Sequence, residues 1–229
     1  EEQKSRARKA QKFDASFSSD DKWKIFKPSK TTIFLGYQQN SCTAHTLRYR
    51  ETGDDIYIVL DETPFYSEAG GQIGDQGVLA NEALELNVED TFKVFDMHIH
   101  RCQLVRGLIN NENMRRLKAT VSEEKRQKIR CNHSATHLLH AALRKYLGEQ
   151  AQQQGSYVGP DRLRFDFTHH QGLNRQDLSN VEKWINQQIR ANHKVITEVS
   201  SLESAKKSGA VAFFGEKYGE EVRVVSMGA

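Results

Sequence analysis

The apolar pattern of this chain changes period once, after Ser122, and that change divides what it can fold into. From Thr31 to Val121 the pattern is strand-like. Its short runs are rich in β-branched and aromatic residues: Thr31–Tyr37, Thr46–Arg50, Asp55–Asp61, Leu84–Phe95, His98–Val105 and Arg116–Val121. Turn signals separate them at Gly53-Asp54, at Asn110-Asn111 and in the Gly70–Gly77 loop. Short strands at this spacing predict a small β-barrel over residues 27–121. Residues 123–147 read instead as one long helix, with Ala135, Leu138, Leu139, Ala142 and Tyr146 on its apolar face and Gly148 as its stop.

Strands are expected next near Gly155–Val158 and Arg162–Phe167, then a helix over Asp177–Ala191 with Leu178, Val181, Ile185 and Ile189 inward, then a strand at Val195–Val199. Ser200-Ser201-Leu202-Glu203 matches a capping box that opens a short helix ending at Gly209. Strands Val211–Phe214 and Val222–Val225 follow. The predicted class is α+β: a small β-barrel followed by an α+β sandwich domain over residues 122–229, with helices on an antiparallel sheet. Residues 1–26 read as a charged helical linker that Phe13, Phe17, Trp23 and Phe26 pin to the barrel.

Composition narrows the function classes. Hydrophobic residues make up 37% and no apolar run approaches membrane-spanning length, so a membrane partner is not expected. The N-terminus lacks an apolar signal core and begins without Met, as expected of a piece of something longer. A net charge of +3 permits a nucleic-acid partner without arguing for one. Cys42, Cys102 and Cys131 are scattered with no Cys-x-x-Cys, which predicts reduced thiols and a cytoplasmic location. Cys42 and Cys102 read as small buried hydrophobes.

Three segments carry chemistry. In Asn132-His133-Ser134-Ala135-Thr136-His137-Leu138-Leu139-His140, His133 and His137 lie four apart on one helical face, a spacing that suits two imidazoles on one divalent metal. No further Cys or His pair with ligand spacing follows, and no Glu stands between the two as in His-Glu-x-x-His metalloproteases. The second segment is Thr63-Pro64-Phe65-Tyr66-Ser67-Glu68-Ala69-Gly70-Gly71-Gln72-Ile73-Gly74-Asp75-Gln76-Gly77. Its glycines allow positive φ or close approach, so that exposed N–H groups could meet an oxyanion, or simply form a hairpin loop. Gln72 in it both donates and accepts. The third is Leu163-Arg164-Phe165-Asp166-Phe167, with Arg164 and Asp166 on one strand face and the phenylalanines on the other. No Walker loop, dinucleotide fingerprint or serine-hydrolase elbow is present, so the sequence shows no ATP site.

In this order the three segments resemble the editing domain of alanyl-tRNA synthetases. Thr63–Gly77 resembles their TPFY-x-E-x-GGQ-x-GD-x-G segment, Asn132–Leu139 their NHSATHLLH helix, and Leu163–Phe167 their LRFDF strand. Arg223–Gly228 resembles the segment just before their second zinc pair. The resemblance implies hydrolysis of tRNA(Ala) mischarged with serine or glycine. It also implies a tRNA(Ala) 3′ end as partner, neighbouring synthetase domains up- and downstream, and ATP only in the full-length ligase. It implies Gln72 and Thr63 as catalytic residues, with Thr63 facing the amino-acid moiety. Gly70, Gly71, Asp75, Arg164 and Asp166 would bind substrate, and His133 and His137 would hold zinc. That ion would polarise the ester, activate water or anchor the 3′ adenosine. The family's metal takes a further Cys and His, so this sequence is expected to stop short of a complete site, and Cys131 lies on another helix face. Alternative readings are a tRNA-binding module without catalysis and a free-standing alanyl-tRNA editing protein.

Overall fold

The structure is a computed structural model that describes Phe17, residues 22–210 and residues 219–228. The chain falls into two compact units, Glu1–Ile129 and Arg130–Ala229.

The first unit is a closed antiparallel barrel. Its strands are β3 (Ser41–Thr52), β4 (Asp55–Leu60), β6 (Gly77–Ala80), β7 (Leu84–Val94), β8 (Met97–Gly107) and β9 (Arg116–Val121), in the order β3-β4-β8-β7-β6-β9, and β9 closes back onto β3. The short β1 (Lys24–Ile25) adds to the edge of β3, while β2 (Ile33–Phe34) pairs in parallel with β5 (Glu62–Thr63). Alternation selects the interior: Ile56, Ile58 and Leu60 of β4 meet Leu84, Leu86 and Val88 of β7 and Leu117, Ala119 and Val121 of β9. The intervening Tyr57 and Val59 face a second cluster with Phe17, Trp23, Leu47 and Ile99. β4 is thus covered on both faces, which is why its sequence is an unbroken apolar run.

Several expectations need correction here. Thr31–Tyr37 forms only the two residues of β2, because a turn begins at Gly36. The Thr46–Arg50 segment is the middle of a twelve-residue strand with a bulge between Thr46 and Arg48. β6 was not foreseen; it lies just after the glycine loop. Phe17 and Trp23 do pin the N-terminal segment to the barrel, with Phe17 only 1% exposed. The guanidinium of Arg50 sits 3.7 Å over the Phe17 ring, within reach of Trp23 and Tyr57 as well. The rest of the expected linker, Phe13 included, lies outside the described residues. Cys102 is fully buried and Cys42 packs against the same core.

Helix α1 (Glu123–Leu147) begins in the first unit and continues into the second, with the bounds its periodicity predicts. Glu123 and Glu124 in its first turn and Arg144 and Lys145 in its last suit the helix dipole. Gly148 ends it with φ +99°. In the second unit the inward stripe is shifted from the predicted one: Ala142 and Leu143 are buried and Leu139 and Leu147 partly so, whereas Tyr146 is exposed. The cause is the partner surface. Phe165 and Phe167 project from the antiparallel pair β10 (Gln153–Val158) and β11 (Leu163–Phe167) into this cluster.

Helix α2 (Arg175–Ala191) adds Val181, Trp184 and Ile185 to that core, while Leu178 and Ile189 stay exposed, against expectation, because the core reaches only the helix middle. Its N-terminus is a capping box of Asn174 and Asp177. The final pair, β12 (Val195–Ser201) and β13 (Glu221–Met227), is antiparallel, and α3 (Leu202–Lys207) is capped by Ser201 rather than Ser200. Ser201 Oγ accepts from Ser204 N, so the cap lies one residue later than the predicted box. The strand expected at Val211–Phe214 lies outside the described residues.

Candidate functional site

The glycine loop of the first unit is built by three local constraints. Ala69 and Gln72 exchange both backbone hydrogen bonds across Gly70 and Gly71, whose φ values are +58° and +82°. Positive φ at both central residues is the I′ hairpin geometry, which side chains with a Cβ strain. Gly74 answers a different need: a Cβ there would stand 2.0 Å from the Thr91 carbonyl oxygen. Gly70 is thus exposed on a hairpin tip, and Gln72 is half-buried at its base.

Beneath the tip the loop is held by polar bonds away from water. Asp75 is 2% exposed and accepts from Tyr66 N (2.6 Å) and from the Arg126 guanidinium. Arg126, in the first turns of α1, also donates to Pro64 O (2.6 Å), Gly36 O (3.1 Å) and Asn40 Oδ1 (3.2 Å). Asp75 is therefore an anchor of the loop rather than a group on its surface.

Thr63 is fully buried. His100 Nδ1 donates to Ile58 O (3.0 Å), and a carbonyl only accepts, so in the neutral ring Nε2 bears the lone pair and accepts a hydrogen bond from the Thr63 hydroxyl at 2.7 Å. Thr63 Oγ1 in turn accepts from Phe65 N at 3.1 Å. The hydroxyl expected to face an amino-acid moiety is committed inward. A parallel pair lies two residues along β8: Ser67 Oγ is 2.8 Å from His98 Nδ1, and the His98 ring stacks on Phe34.

Burial pushes both imidazoles down to about 4, with the nearby Lys93 charge adding to the shift at His98. Both are neutral at pH 7. For His100 the unfolded chain, at about 6.5, binds a proton that the folded chain refuses until pH 4, so stability is present above 6.5 and lost as pH falls from 6.5 to 4. The 2.5-unit gap corresponds to roughly 3 kcal/mol. Denaturant titrations at pH 7 and pH 4.5 are expected to show that loss, and His100→Gln to reduce the pH dependence; equal midpoints at the two pH values would contradict it.

In the second unit the His133 and His137 rings stack 5.0 Å apart and within 23° of parallel. Burial lowers both, His137 to about 4 with a further push from His133 and His140, which leaves neutral rings of the kind metals take. His140 does not join them; it turns to the core and packs on Phe165 at 5.2 Å. A catalytic zinc takes three protein ligands. Among the described residues no cluster of three His, Cys, Asp or Glu side chains is placed to hold a metal ion. The described residues do not make a zinc site on their own. Arg164 and Asp166 are exposed on the outer face of β11, Nε to Oδ2 3.2 Å, with Phe165 and Phe167 on the inner face, as the alternation predicts.

The family model described as tRNA synthetases class II (A) matches residues 1–124. The chain belongs to that family. Alanine–tRNA ligases are its similar relatives. That of Legionella pneumophila (strain Paris) is 44% identical over 204 residues, covering 85% of this chain and 24% of the ligase. That of Shewanella amazonensis is 44% identical over 236 residues, covering 99% of this chain and 26% of the ligase. The chain thus spans about a quarter of the length of these curated relatives. The resemblance to alanyl-tRNA synthetases is borne out at that level. Within this synthetase-family chain, sequence reasoning missed Arg126, Ser67, His98 and His100. The two histidines had a signal, a His-x-His repeat inside a strand that puts both rings on one face. Arg126 had none, since an Arg in a charged first turn reads as solvated.

Proposed function

We propose that this chain is the proofreading part of an alanine–tRNA ligase, hydrolysing tRNA(Ala) that carries serine or glycine. The observation that carries the reading is the Thr63–Gly77 loop: a Gly70-Gly71 turn with Gly70 exposed and Gln72 at its base, held from beneath by buried polar bonds. Rigid support under a glycine turn is what a site that must place an ester needs. An alanine pocket cannot exclude glycine, and it rejects serine weakly because serine only adds a hydroxyl, so a second, hydrolytic site is required.

In this reading the backbone N–H groups of Gly70 and Gly71 face the 3′ end of the tRNA. The Gln72 amide holds the attacking water with its oxygen and the ester oxygen with its nitrogen. Water adds to the carbonyl, the 3′ oxygen leaves with a proton, and free serine and tRNA result. Arg164 and Asp166 present an exposed charged strip to the RNA, and His133 with His137 would supply two ligands of a metal whose other ligands lie elsewhere. ATP belongs to the charging reaction of the whole ligase.

The test is deacylation of Ser-tRNA(Ala) by a full-length ligase carrying this sequence. Gln72→His is expected to slow it at least about tenfold while the melting temperature holds. Unchanged deacylation removes Gln72 from the site. A second reading is a tRNA-binding module without chemistry; tRNA(Ala) binding with no hydrolysis of Ser-tRNA(Ala) by the unaltered protein would select it.

A further inference from the structure

Arg126 meets the loop at both ends. Its guanidinium has five N–H donors in a planar fork. Nε–H and one Nη2–H reach the two oxygens of Asp75, the other Nη2–H reaches Pro64 O, and the two Nη1–H groups reach Gly36 O and Asn40 Oδ1. Five donors meet five acceptors, on a side chain 10% exposed. Pro64 lies at the start of the glycine loop and Asp75 near its end, and the hairpin with Gln72 hangs between them. Asp75 passes the constraint on, because its Oδ2 also takes Tyr66 N, and Asp75 N donates back to Tyr66 O at 2.9 Å. One side chain from α1 therefore ties both ends of the loop together.

A buried ion pair is weak evidence for stability, since its desolvation offsets its attraction. Its distinguishing property here is geometry. An ammonium carries three donors on a single nitrogen and cannot span Pro64, Asp75 and the Gly36–Asn40 turn together. We propose that Arg126 is a positioning residue for the editing loop, fixing where the Gln72 hairpin stands without touching substrate. The proposal rests on the proofreading reading for its activity arm and on the fold alone for its structural arm.

The activity arm compares Arg126→Lys with the unaltered full-length ligase on Ser-tRNA(Ala). Expected is a fall in kcat of about tenfold to hundredfold, the size a displacement near 1 Å produces, with KM within about twofold. Alanine charging should not change. A kcat unchanged, or reduced only in proportion to the unfolded fraction, overturns the proposal. The structural arm is amide hydrogen exchange on the same variant. The Tyr66 and Asp75 amides are expected to exchange at least about tenfold faster while Ile58 and Val59 in the barrel wall keep their protection. If the unaltered ligase does not deacylate Ser-tRNA(Ala), the proofreading reading fails, and the exchange data alone decide whether Arg126 sets the loop. Unchanged exchange at Tyr66 and Asp75 overturns the positioning role in either case.

Discussion

Asp75→Ala is expected to destabilise the barrel unit by about 3–5 kcal/mol, the cost of leaving a buried charge without its partner. Asp75 is 2% exposed and the Arg126 side chain facing it 10%, so water has little access to the guanidinium that remains. The Tyr66 amide loses its acceptor in the same step. At about 2–4 °C per kcal/mol for a chain of this size, melting should fall by roughly 6–20 °C. The double variant Asp75→Ala/Arg126→Met discriminates the cause. If the orphaned charge dominates, removing it should restore part of the stability, whereas a cost from lost packing would add to the first. A single-variant loss below about 1 kcal/mol would mean that water reaches the pair, which the burial denies.

Thr63→Val preserves shape and removes one hydroxyl, yet a loss of about 2–6 kcal/mol is expected. Two buried groups lose their partner at once, the His100 Nε2 lone pair and the Phe65 N–H, at about 1–3 kcal/mol each. The same geometry bears on selectivity. The donor of Thr63 goes to His100, and the residue has no exposed surface. The ratio of Ser-tRNA(Ala) to Ala-tRNA(Ala) hydrolysis is therefore expected to stay within about twofold while stability falls. A ratio that drops more than about tenfold at unchanged stability would return Thr63 to the amino-acid-facing role its family resemblance implies. Thermal denaturation and paired deacylation rates on one preparation separate the two outcomes.

What the sequence by itself determined is what depends on neighbours along the chain. The period of 3.6 from Glu123 to Leu147, the unbroken apolar run of Ile56–Leu60 and the period of 2 in Arg116–Val121 are local, and those elements stand where they read. The Gly70-Gly71 turn is local too, because positive φ is a property of the residue itself. So is the one-turn spacing that stacks His133 on His137. Inward faces were less legible: Tyr146, Leu178 and Ile189 carry the right period yet stay exposed among the described residues, and burial is decided by the facing surface.

The duties of individual polar residues belonged to the tertiary structure alone. The family resemblance implies that Asp75 and Thr63 meet substrate, and each is buried against a residue far along the chain, Arg126 at 51 positions and His100 at 37. A charged or hydroxyl side chain can be solvated or buried and paired, and its own sequence context is the same in both cases. Only closing the barrel removes the water and leaves a single partner within reach, so the difference between a residue that would touch substrate and one that holds the loop in place is fixed by contacts that no local pattern encodes.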